Sequence, residues 1–202
     1  MSLEHKRRCN RYICDIGNYR IRKVDMRTGA ISTFAGTGET VATLDGAKFA
    51  IAALNGPRAI DFDKDGTMRL ALREGNAIYK LNLKAGTIQH VAGTGQKGFT
   101  GNGGPARQAT LSGPKGISVG PDGNVYFADT ECHMIDVRRG TVELVVGTGE
   151  RGDGPDGDPL KCKLARSHGI FVDTTGSIFI GDSENHRVRV IRRVAGAASS
   201  AP

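Results

Sequence analysis

Three basic residues of this chain occupy one short context: Arg58-Ala-Ile60, Lys115-Gly-Ile117 and His168-Gly-Ile170. The isoleucines are spaced by 57 and then 53 residues, and each opens a strand-like apolar run. An arginine, a lysine and a histidine that converge around one opening would make an anion-binding mouth, because like charges in a cleft focus a positive potential. The alternative is that the three point apart and solvate a rim.

The carboxylates offer less. Asp61-Phe-Asp63-Lys-Asp65-Gly66 begins like a calcium loop, but such a loop needs glutamate at its twelfth position, where Leu72 stands. The corresponding positions further along are Ser118, Gly120 and Asp122, then Phe171, Asp173 and Thr175, so a plain hairpin turn is expected. Asp153-Gly-Pro-Asp156-Gly-Asp158 is a second acidic loop without defined ligand spacing, readable as a calcium site or as a solvated glycine-rich loop. Asp15, Asp129 and Asp182 each end a strand-like run, where aspartate commonly accepts backbone N–H bonds in an Asx turn. No histidine lies in a nucleophile or metal pattern: His133 and His186 fall in turns, and His90 is expected to point outward from a strand. No metal and no cofactor is expected.

Cys9, Cys14, Cys132 and Cys162 form no CxxC pair and no Cys/His zinc spacing. Cys14 aligns with Leu72, Ala128 and Gly181, and Cys162 with Ala109, which reads as free structural thiols. Free thiols favour a reducing compartment such as the cytoplasm. The first residues, MSLEHKRRCNRY, lack the apolar segment of a secretory signal, and no apolar run approaches membrane-spanning length.

Charge is uneven. The net charge is +7, but residues 1–27 hold eight Lys/Arg against three Asp/Glu, and residues 187–202 hold four Arg and no acid. The two ends together carry +9 and residues 28–186 carry −2. If the ends are neighbours, Lys6, Arg7, Arg8, Arg11, Arg20, Arg22 and Lys23 face the same sector as Arg187, Arg189, Arg192 and Arg193. That predicts either a weak polyanion site or solvated outward strand residues. Aromatics are 5% of the chain with no Trp, which argues against base stacking.

The element that positions all of these is a repeat. Tyr12–Gly38 returns from Arg69, Asn124 and Ser177, with the glycine of a terminal AGTG-like motif at Gly36, Gly93 and Gly147. Each unit reads as four short strands. GPRAIDF, GPKGISV or RSHGIFV ends in an Asp-Gly or Thr-Gly turn, then come RLAL, VYFAD or SIFIGD, a run alternating at period two, and a last strand such as TIQHVAG. Four antiparallel strands per repeated unit describe a propeller blade, so the fold class is all-β. Glycine is 29 of 202 residues against 7 prolines, as many tight turns require. FAIAAL, ARQATL and PLKCKL in the connections are each expected to form one helical turn.

DIGNYRIRKVD (15–25), VAGTGQKGFTGNGGPA (91–106) and DSENHRVRV (182–190) resemble NHL repeats, in the bacterial subtype with AGTG and GFxGxGGPA loops. The resemblance runs from Tyr12 to about Gly196. Departures are Arg73, where other units have Asp15, Asp129 and Asp182, and a residue missing before the third strand of the second and third units. The expected layout is a basic arm (1–11), a repeat domain (12–196, units about 12–53, 54–110, 111–163 and 164–196) and a tail (197–202). Two blades are complete; the first lacks its first strand and the last its fourth.

The resemblance implies a ring of five or more blades, commonly six. The incomplete terminal blades therefore leave three alternatives: self-association as a homodimer or higher oligomer, a closed four-blade ring, or part of a longer chain. It also implies three function classes: a non-enzymatic scaffold for macromolecular interaction, a channel-sited lyase or hydrolase, or RNA binding. The lyase-like enzymes hold zinc and calcium partly through histidines, and this chain offers only His168 at such a position. A non-enzymatic scaffold is the expectation.

Overall fold

Strands form close to where the periodicity puts them. The computed structural model describes residues 10–129, 133–138 and 140–192. The first sheet holds β1 (Arg11–Asp15), β2 (Arg20–Val24) and β3 (Ile31–Ala35). The second holds β4 (Pro57–Phe62), β5 (Met68–Leu72), β6 (Ala77–Asn82) and β7 (Thr87–Ala92). The third holds β8 (Pro114–Val119), β9 (Val125–Asp129), β10 (His133–Arg138) and β11 (Thr141–Val146). The fourth holds β12 (Gly169–Val172), β13 (Ile178–Asp182) and β14 (Arg187–Ile191). Every sheet is an antiparallel meander in chain order, so the chain is four blades of a β-propeller, the outer two three-stranded.

The AGTG motif is a clamp. Gly36, Gly93 and Gly147 hold φ of 94°, 89° and 110°, and a Cβ on Gly93 would lie 2.3 Å from the Asn76 carbonyl oxygen. Only glycine fits there. The Gly93 N–H donates to Ala106 O at 3.0 Å, as Gly36 does to Phe49 and Gly147 to Pro159, so each motif grips the connection that follows it. Those connections carry Leu54, Leu111 and Leu164 at repeat spacing, all fully buried between sheets. Each such leucine contributes about 2 kcal/mol. The first two connections also lie along the fourth strand of the blade ahead. Gly103 N donates to Val142 O and Val142 N to Gly104 O, just as Gly46 N does to Ile88 O and Ile88 N to Ala47 O.

Inner strands are tied directly as well. Asp61 accepts the Val119 N–H at 2.7 Å and Ser118 accepts the Val172 N–H at 3.1 Å, joining β4 to β8 and β8 to β12. Successive sheets pack in order, β1 on β4, β4 on β8 and β8 on β12, while no strands of the first and last sheets make substantial contact. The four sheets thus form an open arc, not a closed ring of four. No helix among the described residues is long and apolar enough to cross a membrane.

Several local expectations change. Leu72, not Arg73, pairs with Pro57 as Asp129 pairs with Pro114, so Leu72 takes the aspartate's place and Ala71 is the counterpart of Cys14. The second unit is therefore not shortened: residues 73–76 form its turn, as 16–19 and 183–186 do in theirs. The Arg-Glu-Gly-Asn sequence simply lacks the aspartate that would have marked the register. His133 opens β10 instead of lying in a turn, while His186 holds a left-handed φ of 52° like Tyr19 at 54°. Single 3-10 turns form at Ala106–Gln108 and Pro159–Lys161 but not in FAIAAL.

Candidate functional site

Pairing along β4 and β8 puts two of the three basic residues at irregularities of the first strands of their blades. Pro57 pairs with Leu72 and Ala59 with Ala71, so Arg58 is the extra residue of a β-bulge, and Lys115 is the extra residue between Pro114 and Gly116. A bulge re-aims the side chain it carries. His168 lies immediately before β12, its N–H bonded to Gly181 O at 3.2 Å.

The result brings Lys115 and His168 together: Nζ lies 2.8 Å from Nε2. Lys115 is 5% exposed. Burial first, then the guanidinium groups of Arg166, Arg73 and Arg58, push its ammonium down to about 8, against the opposing charge of Glu184. Burial and then Lys115, Arg166 and Arg58 lower His168 in the same way. A neutral His168 accepts from the ammonium. Arg58 also bears on Cys14, whose thiol burial pushes up to about 12.

Arg73, noted from sequence only as a departure from the aspartate pattern, and Arg166 were not among the candidate site residues, and Arg166 carried a signal. It occupies the repeat position of Gly56 and Gly113, whose φ values are 75° and 71°, and itself holds φ 47°. A non-glycine residue there is strained. Arg166 pairs with Glu184 at 3.2 Å, and Arg151 takes the other Glu184 oxygen. Glu74 pairs with Arg73.

The other candidates disperse. Arg22 pairs with Asp15 at 2.9 Å, and Arg20 donates to Thr37 O at 2.7 Å. Arg187 pairs with Asp153 at 3.0 Å. Arg189 is surrounded by Asp182 at 2.8 Å, Asp156 at 2.7 Å and Asp153. Lys23 faces the second sheet beside Tyr12, its cross-strand partner, and Arg192 is exposed beyond β14. Lys6, Arg7, Arg8, Arg193, Cys9 and Cys132 lie outside the described residues.

Carboxylates are likewise committed. Asp63 grips Arg69 at 2.6 Å, Asp65 accepts from Thr67 N, and Asp61 reaches β8, so DxDxDG is a hairpin turn. Asp182 and Asp129, both fully buried, accept the N–H groups of Ala165 and Ser112 at 2.7 Å, tying each inner-strand approach to its own blade. No group of three or more potential metal ligands forms among the described residues.

The teneurin NHL domain family profile matches residues 89–163, and the NHL repeat profile matches 164–191. NHL repeat-containing protein 2 of Bos taurus is 27% identical over 89% of this chain and 29% of its own length. An auxiliary nutrient binding protein of Bacteroides ovatus superposes with a TM-score of 0.70 at 20% identity, over 93% of this chain and 46% of that one. Virginiamycin B lyase of Staphylococcus aureus superposes with a TM-score of 0.52 at 15% identity, over 90% and 51%. These two likenesses show the fold. The chain spans less than a third of the curated relative and about half of the solved propellers. With repeats in register, blades in order and matching profiles on 89–191, the chain belongs to the NHL-repeat family of β-propellers.

Proposed function

We propose that the chain is a non-enzymatic interaction scaffold whose contact surfaces are the two ends of its arc, and that its first partner is a second copy of itself. The observation that carries this is a cleft of about 530 Å³ beside β14, lined in part by Val146, Pro159, Cys162, Ile180, Val188 and Val190. In the third blade the equivalent residues Ala106, Ala109 and Phe127 pack against Val142 of the fourth strand. The cleft therefore has the position of a fourth strand, and among the described residues β14 has no partner on that edge.

The opposite end is complementary in kind. Ile13 and Ile31 are 46% and 63% exposed, whereas Leu70 and Ile88 at the same positions of the second blade are fully buried. Val188 is 70% exposed where Ile21 and Ile78 are fully buried. One face is of the kind that receives a preceding blade and the other of the kind that supports a following one, so two copies fit head to tail. Light scattering is expected to give a mass of two chains or more, reduced towards one by Val188→Asp. A compact, salt-independent monomer would overturn the reading.

A weak polyanion site is the second reading, favoured by the exposure of Arg187 and Arg192 and by the +9 carried by the two ends. It predicts heparin or RNA binding that falls steeply with salt and is lost when Arg187, Arg189, Arg192 and Arg193 become Ser. Equal binding by both proteins would remove it.

A further inference from the structure

Arg58, Lys115 and His168 share a property that the other cations named above mostly lack. Among the described residues, neither Arg58 nor Lys115 nor His168 has a carboxylate within ion-pair distance, although Lys115 is almost wholly buried. The acids nearby are spent: Glu74 on Arg73, and Glu184 on Arg166 and Arg151. Five positive or protonatable groups from three blades thus cluster about Lys115 with two carboxylates among them. An ammonium held 2.8 Å from an imidazole, away from water and without a counter-ion, is an unfavourable arrangement that an anion relieves.

Two features of the backbone are spent on this arrangement. Bulges in β4 and β8 carry Arg58 and Lys115 as their extra residues, and Arg166 accepts a left-handed φ at a position that is glycine in the sister blades. A left-handed non-glycine residue beside an unbalanced charge cluster is an outlier that motivates a binding hypothesis. Arginine and lysine supply donors of the geometry that oxyanions accept.

We propose that the channel mouth formed by Arg58, Lys115 and His168, flanked by Arg73 and Arg166, binds a small oxyanion, that is, the phosphoryl or carboxylate group of a low-molecular-weight solute. The bound anion accepts from Lys115 Nζ and from the Arg58 guanidinium, with His168 protonated to become a third donor. Binding therefore takes up protons. Affinity falls as pH rises through about 8, where Lys115 loses its charge in the free protein, with Arg58, Arg73, Arg166, His168 and Glu184 as the other groups facing it.

The test is calorimetric titration of the purified chain at low salt with inorganic phosphate and, separately, with malonate, each at pH 6.5 and pH 9 in two buffers of different ionisation heat. Saturable binding of at least one anion is expected, about tenfold or more weaker at pH 9, with proton uptake. Lys115→Met and, independently, the half-exposed Arg58→Ser should each weaken binding about tenfold or more, while Arg22→Ser at the end of the arc leaves it unchanged. Preference between phosphate and malonate identifies the group. No saturable heat with either anion, equal binding by the Lys115 and Arg58 variants, or binding only of heparin and RNA would overturn the proposal.

Discussion

Asp182→Ala is expected to lower the unfolding free energy by about 3–5 kcal/mol, the cost of removing one partner from a buried charged network. One oxygen accepts the Ala165 N–H at 2.7 Å, and the other accepts from Asn185 and from Arg189, both at 2.8 Å. Deletion orphans a backbone donor and leaves Arg189, 10% exposed, to Asp153 and Asp156 alone. Asp15 is the internal control. It makes the same bonds to Asn18 and Arg22 but is 24% exposed, and no connection precedes it in the described residues, so Asp15→Ala should cost only about 1 kcal/mol. Burial alone would raise the Asp182 carboxyl, but the Ala165 N–H, Arg189 and Asn185 more than offset it and hold it below the usual range. A depressed carboxyl stabilises above its unfolded pKa and loses that contribution as pH falls through the folded value. Urea midpoints at neutral and acid pH check both statements. Equal losses for the two alanine variants would refute the distinction.

Lys115→Met should act in the opposite direction and raise stability at pH 7 by about 3 kcal/mol, while weakening oxyanion binding. Burial and the surrounding guanidinium groups bring Lys115 down from 10.5 to about 8. Between those values the unfolded chain binds the proton that the folded chain releases, so unfolding free energy rises with pH across that window. Below it, the folded state carries the full penalty of a buried ammonium. Methionine keeps the unbranched stem and removes the charge. Denaturant midpoints at pH 7 and pH 9.5 should rise for the parent chain and stay level for the variant. Parallel profiles would mean that Lys115 is solvated, and would remove the charge imbalance at the mouth.

Legibility in the sequence followed repetition. Strand order, the Asp-Gly turns and the incomplete end blades were readable because each unit supplied independent copies of one pattern. The same copies set Arg58, Lys115 and His168 at one repeat position, and Lys115 and His168 meet. What the copies shared but did not spell was the bulge, because an extra residue in one strand leaves no mark on composition or period. Leu72 misled because the second unit lacks the aspartate that fixes register elsewhere, and the neighbouring Arg73 looked like its replacement. Summed charge carries no information on pairing. The arginines of β14 follow Asp182 and Glu184 closely in sequence, but the distant loop 153–156 also returns alongside β14 and meets Arg187 and Arg189. Arg166 was the one mouth residue with an overlooked signal, an arginine where two sister units carry glycine.

Because the first two connections clip onto the fourth strands of the second and third blades, each interior blade is held on both sides and each end blade on one. Such an array loses cooperativity from its ends, since its stability sums intrinsic and nearest-neighbour contributions. Amide hydrogen exchange should therefore be graded along the chain: slowest in β5 and β9, which lie between packed neighbours, and fastest in β3 and β14, which have no outer partner strand among the described residues. Assembly at the arc ends would flatten that gradient and convert terminal fraying into protection.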